Sequence, residues 1–105
     1  MAITKTIIVD KTEVVSLGST YSSDEWKNVQ VRTATVIKED GVELNRSFHR
    51  HVLSPGTVAD GSTALTPTNI SGEEPIVQTV ANAVWTTAAK EAYRAYLVGI
   101  RSESL

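Results

Sequence analysis

The residues best suited to chemistry in this sequence are two histidines, His49 and His51, which flank Arg50. Residues two apart on a strand project to the same face, so two imidazoles at this spacing can share a metal ion. The strand pairing predicted below places Arg32 opposite His49 and Gln30 opposite His51, and neighbouring guanidinium groups repel a dication. The chain has no cysteine to add as a ligand. We therefore expect no metal here and interpret the pair as solvent-facing or interface-facing histidines.

Other catalytic patterns are missing from the sequence. Serines and threonines are scattered through polar stretches without a nucleophile elbow, so neither histidine has an evident nucleophile to activate. The six glycines are dispersed and form no phosphate-binding loop. The acidic pairs Glu39-Asp40 and Glu73-Glu74 fit a turn and a helix start. We expect a protein that is not an enzyme, with no catalytic residues and no cofactor.

Length and composition indicate one small globular domain spanning residues 1–105. The chain has 41% hydrophobic and 21% charged residues, but only 6% aromatic residues, so its core must be mainly aliphatic. A small aliphatic core leaves little surplus over chain entropy. This favours a protein that completes its burial by self-association or by docking on a partner.

Charge and hydropathy argue against several classes of partner. The formal net charge is -2, and no run of Lys or Arg forms a stripe that would bind phosphates, so we expect no nucleic acid. No segment is apolar over the length of a signal peptide or a membrane span, so we expect neither secretion nor a membrane partner. The lack of cysteine is typical of proteins made in a reducing cytoplasm.

The first part of the chain has the pattern of β-structure. Residues 3–9 alternate in the manner of a strand and residues 12–17 are again β-branched, which predicts two short strands joined at Asp10-Lys11. Residues 18–27 are rich in Gly, Ser, Thr and Asp, and they predict a loop that two aromatic side chains, Tyr21 and Trp26, anchor to the surface.

A second hairpin is predicted over residues 28–53, around Asp40-Gly41, because both residues tolerate the positive φ of a type I′ turn. A two-residue turn would set the following pairs opposite one another: Lys38 and Glu43, Ile37 and Leu44, Thr33 and Phe48, Val29 and Val52. It would also gather these residues on one face: Val29, Val31, Ile37, Leu44, Phe48, Val52, Arg46 and Arg50. The arginines on that face would require acceptors or solvent, so they indicate an edge or an interface.

Residues 54–72 are rich in Ser, Thr, Pro and Gly and show no sustained period. A segment of this length without regular structure is unusual in a compact domain. Two interpretations remain open: a mobile surface loop, or an arm that becomes ordered against a neighbouring subunit.

The last part, residues 73–101, predicts two helices with a corner near Trp85. Glu73-Glu74-Pro75 has the acids and the proline of a helix start, and Thr86 or Thr87 can cap the second helix. The second helix carries one apolar stripe, formed by Ala89, Ala92, Tyr93, Tyr96, Leu97 and Ile100. The predicted fold class is therefore α+β: a small antiparallel sheet of N-terminal hairpins, a long loop and a C-terminal helical pair.

Several stretches of the chain resemble small structural proteins of tailed bacteriophages. They are the opening Ile/Thr/Lys strand over residues 1–9, the hairpin from Val29 to Asp40-Gly41, the Arg-Ser-Phe-His-Arg-His segment from Arg46 to His51, and the helical region from Val84 to Tyr93. The resemblance implies a non-enzymatic component of the virion, made in the cytoplasm of the host cell. It further implies a homo-oligomer in a symmetric assembly with other phage structural proteins.

The resemblance favours the tail, baseplate or fibre-attachment region, with capsid decoration (cement) or a head-tail connector as the alternative. A soluble protein-binding module and an enzyme or metal-binding protein are the alternatives outside the virion. For a structural role we select polar contact residues and aromatic anchors, because Arg and Trp contribute strongly to interfaces. These interface residues are Trp26, Arg32, Arg46, His49, Arg50, His51 and Trp85, and Trp85 is equally suited to the core.

Overall fold

Three long antiparallel strands form the main sheet. A computed structural model describes residues 2–16 and 25–103. The strands β1 (Ile3–Ser16), β2 (Lys27–Glu39) and β3 (Val42–Leu53) pair in the order β1-β2-β3, so β2 is central. With the two C-terminal helices described below, this sheet confirms the predicted α+β class. Most of the loop predicted over residues 18–27 lies outside the described residues.

The first strand is continuous, and the prediction of two strands joined at Asp10-Lys11 is wrong. Val9 pairs with Thr33 and Lys11 pairs with Arg32, so Asp10 is the extra residue of a β-bulge. A bulge interrupts the alternation of a strand without ending it. The polar pair at this point therefore marks a shift in register rather than a turn.

The second hairpin has the predicted turn, with Asp40 at φ 49° and Gly41 at φ 84°. Lys38 pairs with Glu43 as predicted, but Leu44 is then bulged out and the next pair is Ile37 with Asn45. Every later pair is shifted by one residue from the prediction. The pairs expected from Ile37 to Val29 are therefore wrong: Thr33 pairs with His49 instead of Phe48, and Val29 with Leu53 instead of Val52.

The shifted register divides the predicted apolar face into two. Directly paired residues of a sheet share a face, and faces alternate along each strand. Val29, Val31, Thr33, Thr35 and Ile37 of β2 lie on one face, which we call the helix face. Residues 30, 32, 34, 36 and 38 lie on the other, which we call the open face, together with their partners on β1 and β3. Phe48, Val52, Arg46 and Arg50 are thus on the open face, opposite to Val29 and Val31.

The core lies between one end of the helix face and two helices, α1 (Pro75–Val84) and α2 (Thr87–Glu103). Its buried cluster is Val29, Val31, Val77, Ala81 and Trp85. Pro75 is in the first turn of α1, and the hydroxyl of Thr86 accepts a hydrogen bond from the Ala89 amide at the start of α2. Both predicted helix starts and the corner at Trp85 are therefore confirmed.

Residues 54–72 contain two short strands that the sequence did not predict. β4 (Gly56–Val58) and β5 (Leu65–Pro67) pair antiparallel and pack against α2. The Thr68 hydroxyl donates to the Ser54 carbonyl at 2.6 Å, and the Thr68 amide donates to the Pro55 carbonyl at 3.1 Å. The prediction of a segment without regular structure is wrong for these strands, which β-propensity alone does not reveal because they are three residues long.

The sheet extends well beyond the helices. The molecule measures 60 × 27 × 23 Å, and the core cluster uses only the Val29–Val31 end of β2. The rest of the sheet, which we call the free end, comprises residues 3–8, 33–39 and 42–48. Residues 2–8 and 42–50 are all exposed. Of the described residues at the free end, only Ala34 and Val36 of the central strand are buried, so this end has little core of its own.

Candidate protein interface

The open face runs the whole length of the sheet, and in the described part of the chain α1 packs on the opposite face. The bulges at Asp10 and Leu44 determine which side chains it presents. Because of these two extra residues, Lys11 and Glu13 of β1 and Arg46, Phe48 and Arg50 of β3 all lie on the same face as Arg32 of β2. The register brings together all three arginines that the sequence selected as interface residues.

Arg32 lies at the centre of the open face and is held by Asp10. Its Nε and Nη2 donate to the two carboxylate oxygens of Asp10 at 3.0 and 2.7 Å. These hydrogen bonds are the main cause that lowers the pKa of Asp10 below its ordinary value of 3.8 and raises the pKa of Arg32. The Arg32 guanidinium also lies 4.3 Å from the centre of the Phe48 ring. The Arg32 side chain is thus held within the chain itself, by the Asp10 carboxylate and the Phe48 ring.

Arg46 is paired within its own strand. Its Nε and Nη2 donate to the carboxylate of Glu43 at 3.1 and 2.8 Å. These bonds lower the pKa of Glu43 and raise that of Arg46. The sequence predicted that Glu43 would pair with Lys38, its neighbour across the hairpin, and did not indicate the bond to Arg46.

Arg50 has the weakest intramolecular partner of the three arginines. Its Nη1 lies 3.6 Å from Glu13 Oε1, an atom that already lies 3.2 Å from the Lys11 ammonium. The bond from Lys11 is the first cause that lowers the pKa of Glu13. The Arg50 side chain is 53% exposed. Of these arginines, Arg50 is the one with most capacity to bind an external carboxylate.

Apolar side chains lie between these ion pairs. The register places Ile8, Ala34 and Phe48 in one row across the open face, and Val52 in another. Ala34 is buried beneath its neighbours, whereas Phe48 is 51% exposed and Val52 is 56% exposed. An aromatic ring among arginines and aliphatic groups is the composition found at the centres of protein interfaces.

The two histidines lie on the helix face and not among the arginines. His49 pairs with Thr33 and His51 with Val31, and their rings stack with centroids 6.4 Å apart. His51 Nε2 lies 2.8 Å from Glu73 Oε1, which links β3 to the residues before α1. Within residues 2–16 and 25–103, no three acidic or histidine side chains are grouped so that they could hold a metal ion.

The two tryptophans have different environments. Trp85 is buried in the core, where its Nε1 donates to the Lys27 carbonyl at 2.9 Å, so it is not available as a surface anchor. Trp26 packs on α2, with ring centroids 4.7 Å from Tyr93 and 5.0 Å from Tyr96. Trp26 therefore attaches the start of β2 to the second helix.

The predicted apolar stripe of α2 is only partly buried. Ala89 is buried, but Tyr96 and Ile100 are exposed. A groove of about 530 Å³ lies between this helix and β4, and its lining includes Tyr93, Leu97 and Ile100. The residues that line it on the β4 side are Ser54, Gly56, Thr57, Val58 and Asp60. The groove is open to solvent, and its described lining has two ionisable side chains, Asp60 and Tyr93.

Sequence reasoning did not find the partners that fix the arginines. The sequence pattern indicates a turn at Asp10 and predicts no role for Glu13. Asp10 and Arg32 are 22 residues apart, so only the register of β1 on β2 brings them together. Glu43 and Arg46 are three residues apart, a spacing that puts side chains on opposite faces of a regular strand, so only the bulge at Leu44 brings them together.

Comparisons with known proteins give no relative for this chain. No family model matches the sequence, and no curated protein and no solved structure matches it.

Neither of the described helices has the length and apolar character needed to cross a lipid bilayer.

Proposed function

We propose that this chain is a non-enzymatic structural component of a tailed bacteriophage virion and acts through contacts between subunits. Its place is the tail, baseplate or fibre-attachment region, where it assembles with other phage structural proteins as a symmetric homo-oligomer. The link to phages rests on the sequence resemblance. The assembly role is supported by the open face of the sheet.

The observation that carries this proposal is the exposure of a long sheet on both of its faces. On the helix face, Ile3 and Ile7 are 56% and 62% exposed beyond the reach of the helices, and Phe48 and Val52 are exposed on the open face. Apolar groups left on a three-stranded sheet give it little stability unless something packs on them. A partner that covers the free end would provide the missing burial.

The charges of the open face support the same role. Asp10 and Glu43 each neutralise an arginine through two hydrogen bonds. Burying an unpaired charge is costly, whereas a charge that already has a close partner loses less when water is removed. The face can therefore be covered by a protein without leaving most of its guanidinium groups unpaired.

Mass spectrometry of purified, nuclease-treated particles from a phage that encodes this chain tests the proposal. We expect the chain in stoichiometric amounts in intact virions, and enriched with separated tails rather than heads. Enrichment with heads would replace the tail assignment with capsid decoration or a head-tail connector. Absence from both fractions would overturn the structural role and leave a soluble protein-binding module as the better account.

A further inference from the structure

We propose that the open face binds a second copy of this chain in a head-to-tail contact, with the open face of one copy against the more acidic surface outside the open face of the next. This inference rests on the proposed assembly role and identifies the surface that performs it. The area of the open face and the distribution of charge over the molecule both favour this contact.

The open face is large enough for a specific contact between two copies. Strands of 12 to 14 residues, with a rise of about 3.3 Å per residue and a spacing of about 4.8 Å, give each face about 600 Å². Covering it with an equal area of a partner buries about 1,200 Å² in total, the lower limit for stable complexes. The uncovered part of the helix face is about half as long and falls below that limit.

The distribution of charge favours two different surfaces over a symmetric pairing of open faces. The open face has five cations, Lys11, Arg32, Lys38, Arg46 and Arg50, and three carboxylates, Asp10, Glu13 and Glu43. Its net charge is +2, and the whole chain carries -2. The other side chains that the structure describes comprise four cations, Lys5, Lys27, Lys90 and Arg94, and seven carboxylates, so they carry -3. Two open faces would repel each other, whereas an open face and the remaining surface attract.

A head-to-tail contact repeats in one direction and produces rings or filaments. In such an assembly, each copy binds one neighbour through its open face and the other neighbour through its acidic surface. Arg50 is well placed for the charged part of this contact because its intramolecular partner, Glu13, is shared with Lys11. Phe48 and Val52 provide the apolar part.

The test is the mass of the purified chain in solution, measured by light scattering during size-exclusion chromatography at about 1 to 100 µM. We expect association that weakens as NaCl is raised from about 0.05 to 0.5 M, because the charged part of the contact is screened. Val52→Asp and Phe48→Asp should each reduce association at least about tenfold. Ile76→Asp tests the surface outside the open face in the same way, since Ile76 on α1 is 55% exposed and Val52 is 56% exposed. Circular dichroism would verify that each variant is folded.

Charge reversal at Arg50 separates the two modes of pairing. In a head-to-tail contact, Arg50→Glu weakens association because the partner surface is acidic. In a symmetric contact, a mixture of the wild-type chain and Arg50→Glu would associate more tightly than either alone, and this result would overturn the head-to-tail arrangement.

Two other results would also contradict the inference. Unchanged association in both Val52→Asp and Phe48→Asp would move the contact away from the open face. A wild-type chain that is monomeric at about 100 µM would exclude a second copy as the occupant. Neither result bears on whether the chain is present in virions, so failure here is distinguishable from failure of the proposed function.

Discussion

Arg32 donates two hydrogen bonds to Asp10, the residue that β1 carries as its bulge. The pair joins the edge strand to the central strand at the point where their register changes. A bulge breaks the ladder of backbone hydrogen bonds locally, and the side-chain bonds span that break.

We expect Asp10→Asn to lower the melting temperature at pH 7. The pKa of Asp10 is lowered in the folded protein from an ordinary value of 3.8, so its contribution to stability is complete above that value and is lost as the pH falls through the lower, folded pKa. The difference in melting temperature between the wild type and Asp10→Asn should therefore shrink when measured at about pH 3 and below. Asp60→Asn, which removes a carboxylate from an exposed turn, is the control, and an equal, pH-dependent effect there would contradict the prediction.

The first helix offers a direct comparison of a buried and an exposed side chain. Val77 is fully buried and its neighbour Ile76 is mostly exposed. Val77→Ala should reduce the free energy of unfolding by about 2 kcal/mol, because it removes buried methyl groups and leaves a cavity. Ile76→Ala should change it by less than about 0.5 kcal/mol. Urea unfolding of both variants measures the difference, and similar losses would show that α1 packs on the sheet through another face.

Replacing Gly56 or Gly99 with alanine should change the stability of the protein in opposite directions. A Cβ at Gly56 would lie 2.5 Å from the Thr66 carbonyl oxygen across the β4–β5 pair, whereas a Cβ at Gly99 in α2 would meet nothing within 4 Å. Gly56→Ala should destabilise the protein by about 1–3 kcal/mol through overpacking. Gly99→Ala should stabilise it by up to about 1 kcal/mol, since alanine is the better helix former. Thermal unfolding of the two variants measures both signs, and a stable Gly56→Ala would mean that β4 and β5 can separate without cost.

The contact between His51 and Glu73 should restrain the start of α1. We expect His51→Ala to speed hydrogen exchange at the amides of residues 75–78 and to cost less than about 1 kcal/mol in global stability, because both side chains are partly exposed. His49→Ala is the control, since His49 lies two residues earlier on the same face of β3. Equal exchange rates in the two variants would show that the contact does not hold the helix.

Much of the local structure could be predicted because the determining residues are close together in the chain. Asp40-Gly41 accept positive φ, so they specify the hairpin turn. Pro75 and Thr86 mark helix starts through their own backbone and hydroxyl chemistry. In each case the residue that determines the turn or the helix start lies within a few residues of it.

The faces of the sheet could not be predicted, because a bulge has no clear signature in a single sequence. Leu44 is as good a strand residue as its neighbours, yet it has no partner on β2. Asp10 resembled a turn residue, and only its bond to Arg32 explains its position. The sequence therefore selects three arginines that share one face of the sheet, but it indicates neither their carboxylate partners nor the separation of the histidines from them.

The bulge at Leu44 gives this position a special status for changes in length. Deleting Leu44 would remove the bulge and leave Asn45 opposite Ile37 and Phe48 opposite Ala34, so every following residue would keep its face. Deleting a paired residue further along β3 would instead move the residues beyond it to the other face. In a family of related chains, loss of a single residue should therefore be tolerated at position 44 and purged at the paired positions of β3.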